Sequence, residues 1–159
     1  MSAVEIQTWR RTSAKRKARQ LAAILRRERP DYAYLKEVFR QLRAELGTDV
    51  PAAVFSDGHD SELQPLLRLP LCGRVSYGAA ISDLFAMSHY SVLVASRSTF
   101  SMMSAYVGQV PTVWPRIGAL PQLHRDRDAE IESPAGERLP GAFIALVGRR
   151  LESCASLEA

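Results

Sequence analysis

A dense group of hydroxyl side chains follows an apolar run: Ser91-Val92-Leu93-Val94-Ala95 leads into Ser96-Arg97-Ser98-Thr99-Phe100-Ser101. A buried strand that ends in such a turn, with a helix opening behind it, presents unpaired backbone N–H groups at the positive end of the helix dipole. Ser96, Ser98 and Thr99 add neutral donors and Arg97 a cation. Hydrogen bonds to a charged group contribute about 1.5–3 kcal/mol each. The chemistry this suits is phosphate binding outside the carboxyl end of a strand, where ligands of open α/β sheets sit. The competing reading is that Ser98 only caps its own helix, because no P-loop or GxGxxG glycine pattern accompanies it.

Two other groups could join that turn. Phe55-Ser56-Asp57-Gly58 closes a short apolar run, and Asp83 opens a helix that carries Met87-Ser88. Asp57 reads equally as a turn residue and Asp83 as a helix N-cap. His59, His89 and His124 are dispersed, and of these His59 follows a strand end. Cys72 sits between apolar residues and is expected in the core; Cys154 stands alone. Neither forms a CxxC pair or stands at metal-ligand spacing, so no metal and no disulfide framework is expected, and a reducing cytoplasm is the expected compartment.

These residues need elements to position them. Ser13 to Arg29 has a weak helical stripe of Ala14, Ala18, Leu21, Ala22 and Leu25, stopped by Pro30. Asp31 can cap a second helix to about Leu46, in which Leu35, Val38, Phe39, Leu42 and Leu46 mark the inner face and Gly47 ends it. Strands are expected at Ala52–Phe55, Arg74–Tyr77, Ser91–Ala95 and Pro111–Pro115, with the prolines suggesting an edge for the last. Helices are expected from Asp60 or Ser61 to Leu67, from Ser82 or Asp83 onward, and from Ser98 to about Val107, closed by Gly108. From Pro115 to Gly141 no period is visible and a loop is expected; Ala142–Ser153 reads as a terminal helix. Strands alternating with helices predict a parallel sheet: an α/β, Rossmann-like three-layer domain with about four parallel strands.

Charge is uneven. Of 21 Lys/Arg and 17 Asp/Glu, nine and one fall within Arg10–Arg29, so that segment carries +8 and the rest of the chain −4. The division expected is a basic helical segment, residues 1–30, ahead of one domain, residues 31–159. Nucleic acid is a poor fit, since no aromatic is interleaved with the basic cluster after Trp9. A solvated charged face is the plainer reading. No apolar run approaches the roughly 20 residues of a membrane span.

Taken in order, Phe55-Ser56-Asp57, Asp83 with Met87-Ser88, and Ser96-x-Ser98-Thr99-Phe100-Ser101 resemble the C-terminal, GDP-sugar-binding half of α-1,2-fucosyltransferase-like glycosyltransferases. The helix Tyr32–Leu46 resembles the tyrosine-rich helix that precedes their Phe-Ser-Asp strand. The likeness covers about Asp31 to Pro115. It implies one half of a two-domain GT-B enzyme that uses GDP-fucose without a metal. Ser96, Arg97, Ser98, Thr99, Phe100 and Ser101 would hold the donor phosphate, and Asp57 and Asp83 would shape the nucleoside pocket. Two departures stand out. The family's His-x-Arg-Arg-Gly-Asp motif is absent; the corresponding stretch reads Ile24-Leu25-Arg26-Arg27-Glu28-Arg29, which leaves Arg26 and Arg27 as candidate anion contacts. Met102-Met103, expected to face the core, stand where tryptophans often follow Phe-Ser.

The expected function is therefore that of a fucosyltransferase-like glycosyltransferase, or its donor-binding half working with a missing N-terminal domain or partner chain. No catalytic base is assigned. The alternatives are a non-catalytic nucleotide- or phosphosugar-binding module, or an interaction protein that uses the basic N-terminal helix.

Overall fold

Tyr34, Val38 and Leu42 recur at four-residue spacing, which stacks them on one side of a helix. In the computed structural model they form the buried face of α1, Tyr32–Leu46. The structure describes residues 32–46, 50–96, 98–116, 122–133 and 137–155, with residues 154 and 155 described by backbone alone. All belong to one compact unit, Tyr32–Ala159. The expected helix Ser13–Arg29, Asp31 and Gly47 lie outside the described residues, as do Arg26, Arg27 and Arg97.

After α1 come β1 (Ala52–Val54), α2 (Asp60–Leu67), β2 (Cys72–Arg74), α3 (Ala80–Met87), β3 (Leu93–Val94) and α4 (Thr99–Gly108). They are followed by β4 (Thr112–Trp114), a 3-10 turn at Arg127–Ala129, β5 (Glu130–Glu132) and α5 (Gly141–Ala155). All described strand pairs are parallel: β1 with β2, and a three-stranded sheet ordered β3-β4-β5. The protein is an α/β domain.

The three-stranded sheet separates two cores by strand alternation. Val94, Val113 and Ile131 are register partners across the sheet and join a cluster with Tyr34, Val38 and Leu42 of α1 and Phe143 and Val147 of α5. Leu93, Ala95 and Trp114 point the other way, against Met102 and Ala105 of α4 and Leu123. Helices thus cover both faces.

Several expectations need correction. The strand expected at Arg74–Tyr77 lies at Cys72–Arg74, because Ala52 pairs with Cys72 and Val54 with Arg74. Cys72 is half-buried, not core, and burial pushes its thiol pKa up, with Arg43 opposing that shift. The strand around Pro111–Pro115 is not an edge. β4 is paired on both sides and fully buried, while its prolines lie just outside it, where the carbonyl of Pro111 still accepts from the Leu93 N–H. β3 is instead the outer strand of its sheet and half-buried. The stretch expected as loop from Pro115 to Gly141 holds β5. Helix starts also differ: His59 and Ala79 occupy the N-cap positions of α2 and α3. Met103 faces solvent, whereas Met102 packs inward.

Gly108 does not act as a left-handed terminator. It is the last residue of α4, and Gln109 takes the left-handed conformation, at φ 46°. Glycine is needed for a different reason: a Cβ on Gly108 would sit 2.0 Å from the carbonyl oxygen of Ser88, the C-cap of α3. Gln109 is tied on every side. Its amide nitrogen donates to the carbonyls of Tyr106 and Leu123, its amide oxygen accepts from the Arg125 N–H, and its carbonyl accepts from Arg150. His124 Nε2 also meets the Gln109 carbonyl while its Nδ1 accepts from the Asp126 N–H, which fixes the Nε2–H tautomer.

Polar joints also bind α1 to its neighbours. Arg43 lies 4.1 Å over the Phe39 ring and donates to the carbonyls of Val50 and Pro70, at the entrances to β1 and β2. Gln41 donates to Glu37 and to the Glu137 carbonyl and accepts from the Leu139 N–H, which fastens the approach to α5.

Gly108→Ala is expected to lower stability by at least the roughly 1–3 kcal/mol typical of overpacking, because backbone must move; urea denaturation measures it. Hydrogen bonds from Arg40 and Gln41 hold the Glu37 carboxyl at about 2. A lowered carboxyl pKa contributes stability above the ordinary value of 4.5 that fades as pH falls toward 2. An NMR titration of Glu37 should show that low midpoint, and Arg40→Ala should return it toward 4.5.

Candidate functional site

The turn after β3 forms as its residue types dictate. Ser98 is extended, at φ −118° and ψ 142°, and its Oγ accepts from the Ser101 N–H at 3.1 Å, the geometry of an N-cap. The Ser101 hydroxyl lies 2.8 Å from the same oxygen. Ser98 N–H donates to the Ser96 carbonyl, and Ser104 Oγ to the Phe100 carbonyl inside the helix. The capping role weighed for Ser98 is thus realised, and its hydroxyl is already engaged. What the turn leaves over is backbone. The N–H groups of Thr99 and Phe100, the first two of α4, have no partner among the described residues. Ser96 and Thr99 are exposed.

The loop after β1 is braced from β2. Arg74 donates to the Ser56 carbonyl and pairs with Asp60, and Ser56 Oγ accepts from the Gly58 N–H. Glu62 reaches back to the His59 N–H at the start of α2. Asp57 is exposed, and its carboxylate has no partner among the described residues. Asp83 differs. It lies in the first turn of α3 without being its cap, and its carboxylate accepts from the Tyr77 N–H at 2.6 Å and from Ser76 Oγ at 3.3 Å. Asp83 therefore shapes the loop after β2 from within. Ser96–Ser101, Asp57 and the Asp83-held loop all lie beyond carboxyl ends of strands. No hydrogen bond or ion pair joins them among the described residues.

Sequence reasoning overlooked Arg116. Val94 pairs with Val113, so the chain leaving β4 through Pro115 and Arg116 runs beside the chain leaving β3 into Ser96. Arg116 is largely exposed and meets Glu137 at 3.6 Å, a loose surface pair. The parallel pairing of β3 with β4 puts Arg116 at the same end of the sheet as the turn.

A separate cavity of about 290 Å³ is lined by Trp114, Gln122, Arg127, Glu130, Ile131 and Glu132, none of them an expected site residue. Its wall is built on Glu130. One carboxylate oxygen accepts from Trp114 Nε1 at 3.0 Å; the other accepts from the N–H groups of Leu123 and His124 at 2.8 and 3.1 Å. These bonds make Glu130 a clasp for the chain beyond β4 rather than a free acid.

Among the described residues, no group of three or more His, Cys, Asp or Glu side chains could hold a metal ion, and no helix is long and apolar enough to cross a membrane. No protein-family description, curated protein or solved structure matches the chain.

Glu130→Gln places an NH2 group where one set of donors now points. Each charge-assisted bond lost is worth about 1.5–3 kcal/mol. A lowered melting temperature and a shifted Trp114 emission, read in a Trp9→Phe background, are the expected outcomes.

Proposed function

We propose that this α/β domain is the donor-binding half of a GT-B, fucosyltransferase-like glycosyltransferase and binds a GDP-sugar through its diphosphate. One observation carries the reading: two adjacent backbone N–H groups, Thr99 and Phe100, have no partner among the described residues and stand at the head of a ten-residue helix, beyond the carboxyl end of a parallel strand. Such a pair offers donors aimed at an anion without the cost of reorganising side chains. Arg116, just past the carboxyl end of the neighbouring strand β4, supplies a cation at the same end of the sheet, and the sequence offers Arg97 as a second. The Asp57 carboxylate, without a partner among the described residues, suits the N1–H and amino group of a guanine or the hydroxyls of a ribose.

In transfer, an acceptor oxygen forms a bond to the sugar's anomeric carbon. The bond from that carbon to the β-phosphate oxygen breaks, and GDP leaves with the electron pair. Fixed N–H donors and the arginines stabilise the charge on the leaving group; no metal is required. The acceptor's proton needs a base, and the described residues assign none. That gap, with the missing His-x-Arg-Arg-Gly-Asp motif, favours donor binding without transfer, as a nucleotide- or phosphosugar-binding module, as the second reading.

Calorimetric titration with GDP, GDP-fucose and UDP tests the proposal. The guanine nucleotides should bind more tightly than UDP. Ser98→Asp keeps an N-cap but sets a negative charge against the phosphate and should abolish binding. Thr99→Pro deletes one N–H at the first helical position, where proline is tolerated, after a residue already in the extended conformation proline requires. It should weaken GDP about tenfold or more, as expected for one charge-assisted bond. Absence of nucleotide binding at millimolar concentration sinks both readings; GDP-fucose hydrolysis or transfer separates them.

A further inference from the structure

Two adjoining helices present an uncharged apolar surface to solvent. α3 exposes Ile81 at 59% and Phe85 at 51%, four residues apart; α4 exposes Met103 at 46%, Tyr106 at 58% and Val107 at 47%, three and four apart. Each set occupies one side of its helix. The helices meet at the Gly108–Ser88 backbone contact. A solvated helix face ordinarily carries charge. Here eighteen helical residues include a single ionisable acid or base apart from the tyrosine, Asp83, and its carboxylate is turned back onto Ser76 and Tyr77. By contrast, α1 alone carries Lys36, Glu37, Arg40, Arg43 and Glu45.

From this surface we infer that the chain forms a symmetric homodimer through the outer faces of α3 and α4. The area is of the right order. Large side chains present about 150–250 Å² when fully open. Five that are half exposed therefore supply about 500 Å², the apolar centre of an interface that buries about 800 Å² per partner. The absence of Lys and Arg from both helices disfavours an anionic membrane or nucleic acid, and the absence of free acids disfavours a basic partner. An identical face matches it in both polarity and lack of charge, and a two-fold axis closes such a contact without leaving a second copy of the patch exposed. This inference is independent of nucleotide binding, since none of the five residues belongs to the turn.

Sedimentation equilibrium of the full chain across the micromolar range tests it. The expected mass is twice 17.6 kDa. Phe85→Glu and Tyr106→Glu should each return it to the single-chain value while the far-ultraviolet circular dichroism stays unchanged. Should either variant misfold, hydroxyl-radical labelling of the unsubstituted chain decides: Met103 and Tyr106 should become protected as the dimer fills. A chain that remains monomeric, whether the face is then covered by another protein, a lipid surface or residues 1–31, overturns the inference. So does a dimer that survives both substitutions, or one that leaves Met103 and Tyr106 open to labelling.

Discussion

Hydrogen bonds to β3 on one edge and to β5 on the other close both edges of β4, and the packing on its two faces shuts its side chains from water. Val113 must be satisfied by α1 and α5, and Trp114 by α4 and the chain at Leu123. This double enclosure explains why the helices lie where they do. It also sets the functional geometry. Among the described strands β3 pairs with β4 alone, so the Ser96–Ser101 turn and Arg116 are both referred to that strand.

Because the strands are only two or three residues long, ladder hydrogen bonding alone holds little. The remaining connections are polar joints at the ends of elements. Glu130 gathers three N–H donors, Gln109 spans α4, the Leu123–Arg125 chain and α5, and Gln41 fastens α1 to the approach to α5. Each converts a backbone group that would be left without a bond near the core into a paired one, which is where hydrogen bonding contributes most to stability. Burial likewise pushes the Tyr34 phenol pKa up, so it stays neutral within the α1 face over the ordinary pH range.

What was legible in the sequence was local. The stripe through Val38 and Leu42 identified α1, and Ser98 announced both a helix start and a candidate anion site. Alternating strands and helices gave the α/β class. What was not legible depended on partners distant in the chain. Glu130-Ile131-Glu132 has one apolar residue and no visible period, and becomes a strand only because β4 offers it an edge. Pro111 and Pro115 suggested an exposed strand because proline lacks a donor, but both fall just outside the ladder. Asp83 looked like a cap; its carboxylate instead reaches a loop six residues upstream. Arg116 reaches the same end of the sheet as the turn through the parallel pairing of β3 with β4, which no local pattern encodes.

The left-handed turn at Gln109 has one more consequence. Between the last residue of α4 and the first of β4 lie only three residues, and both the side chain and the carbonyl of Gln109 are committed to groups outside the turn. Strand faces alternate with a period of two, so inserting or deleting one residue here would exchange Val113 and Trp114 between the two cores. This joint acts as a counting device. It admits substitution more readily than any change of length, and chains descended from a common ancestor with this one should keep its spacing even where its residues have drifted.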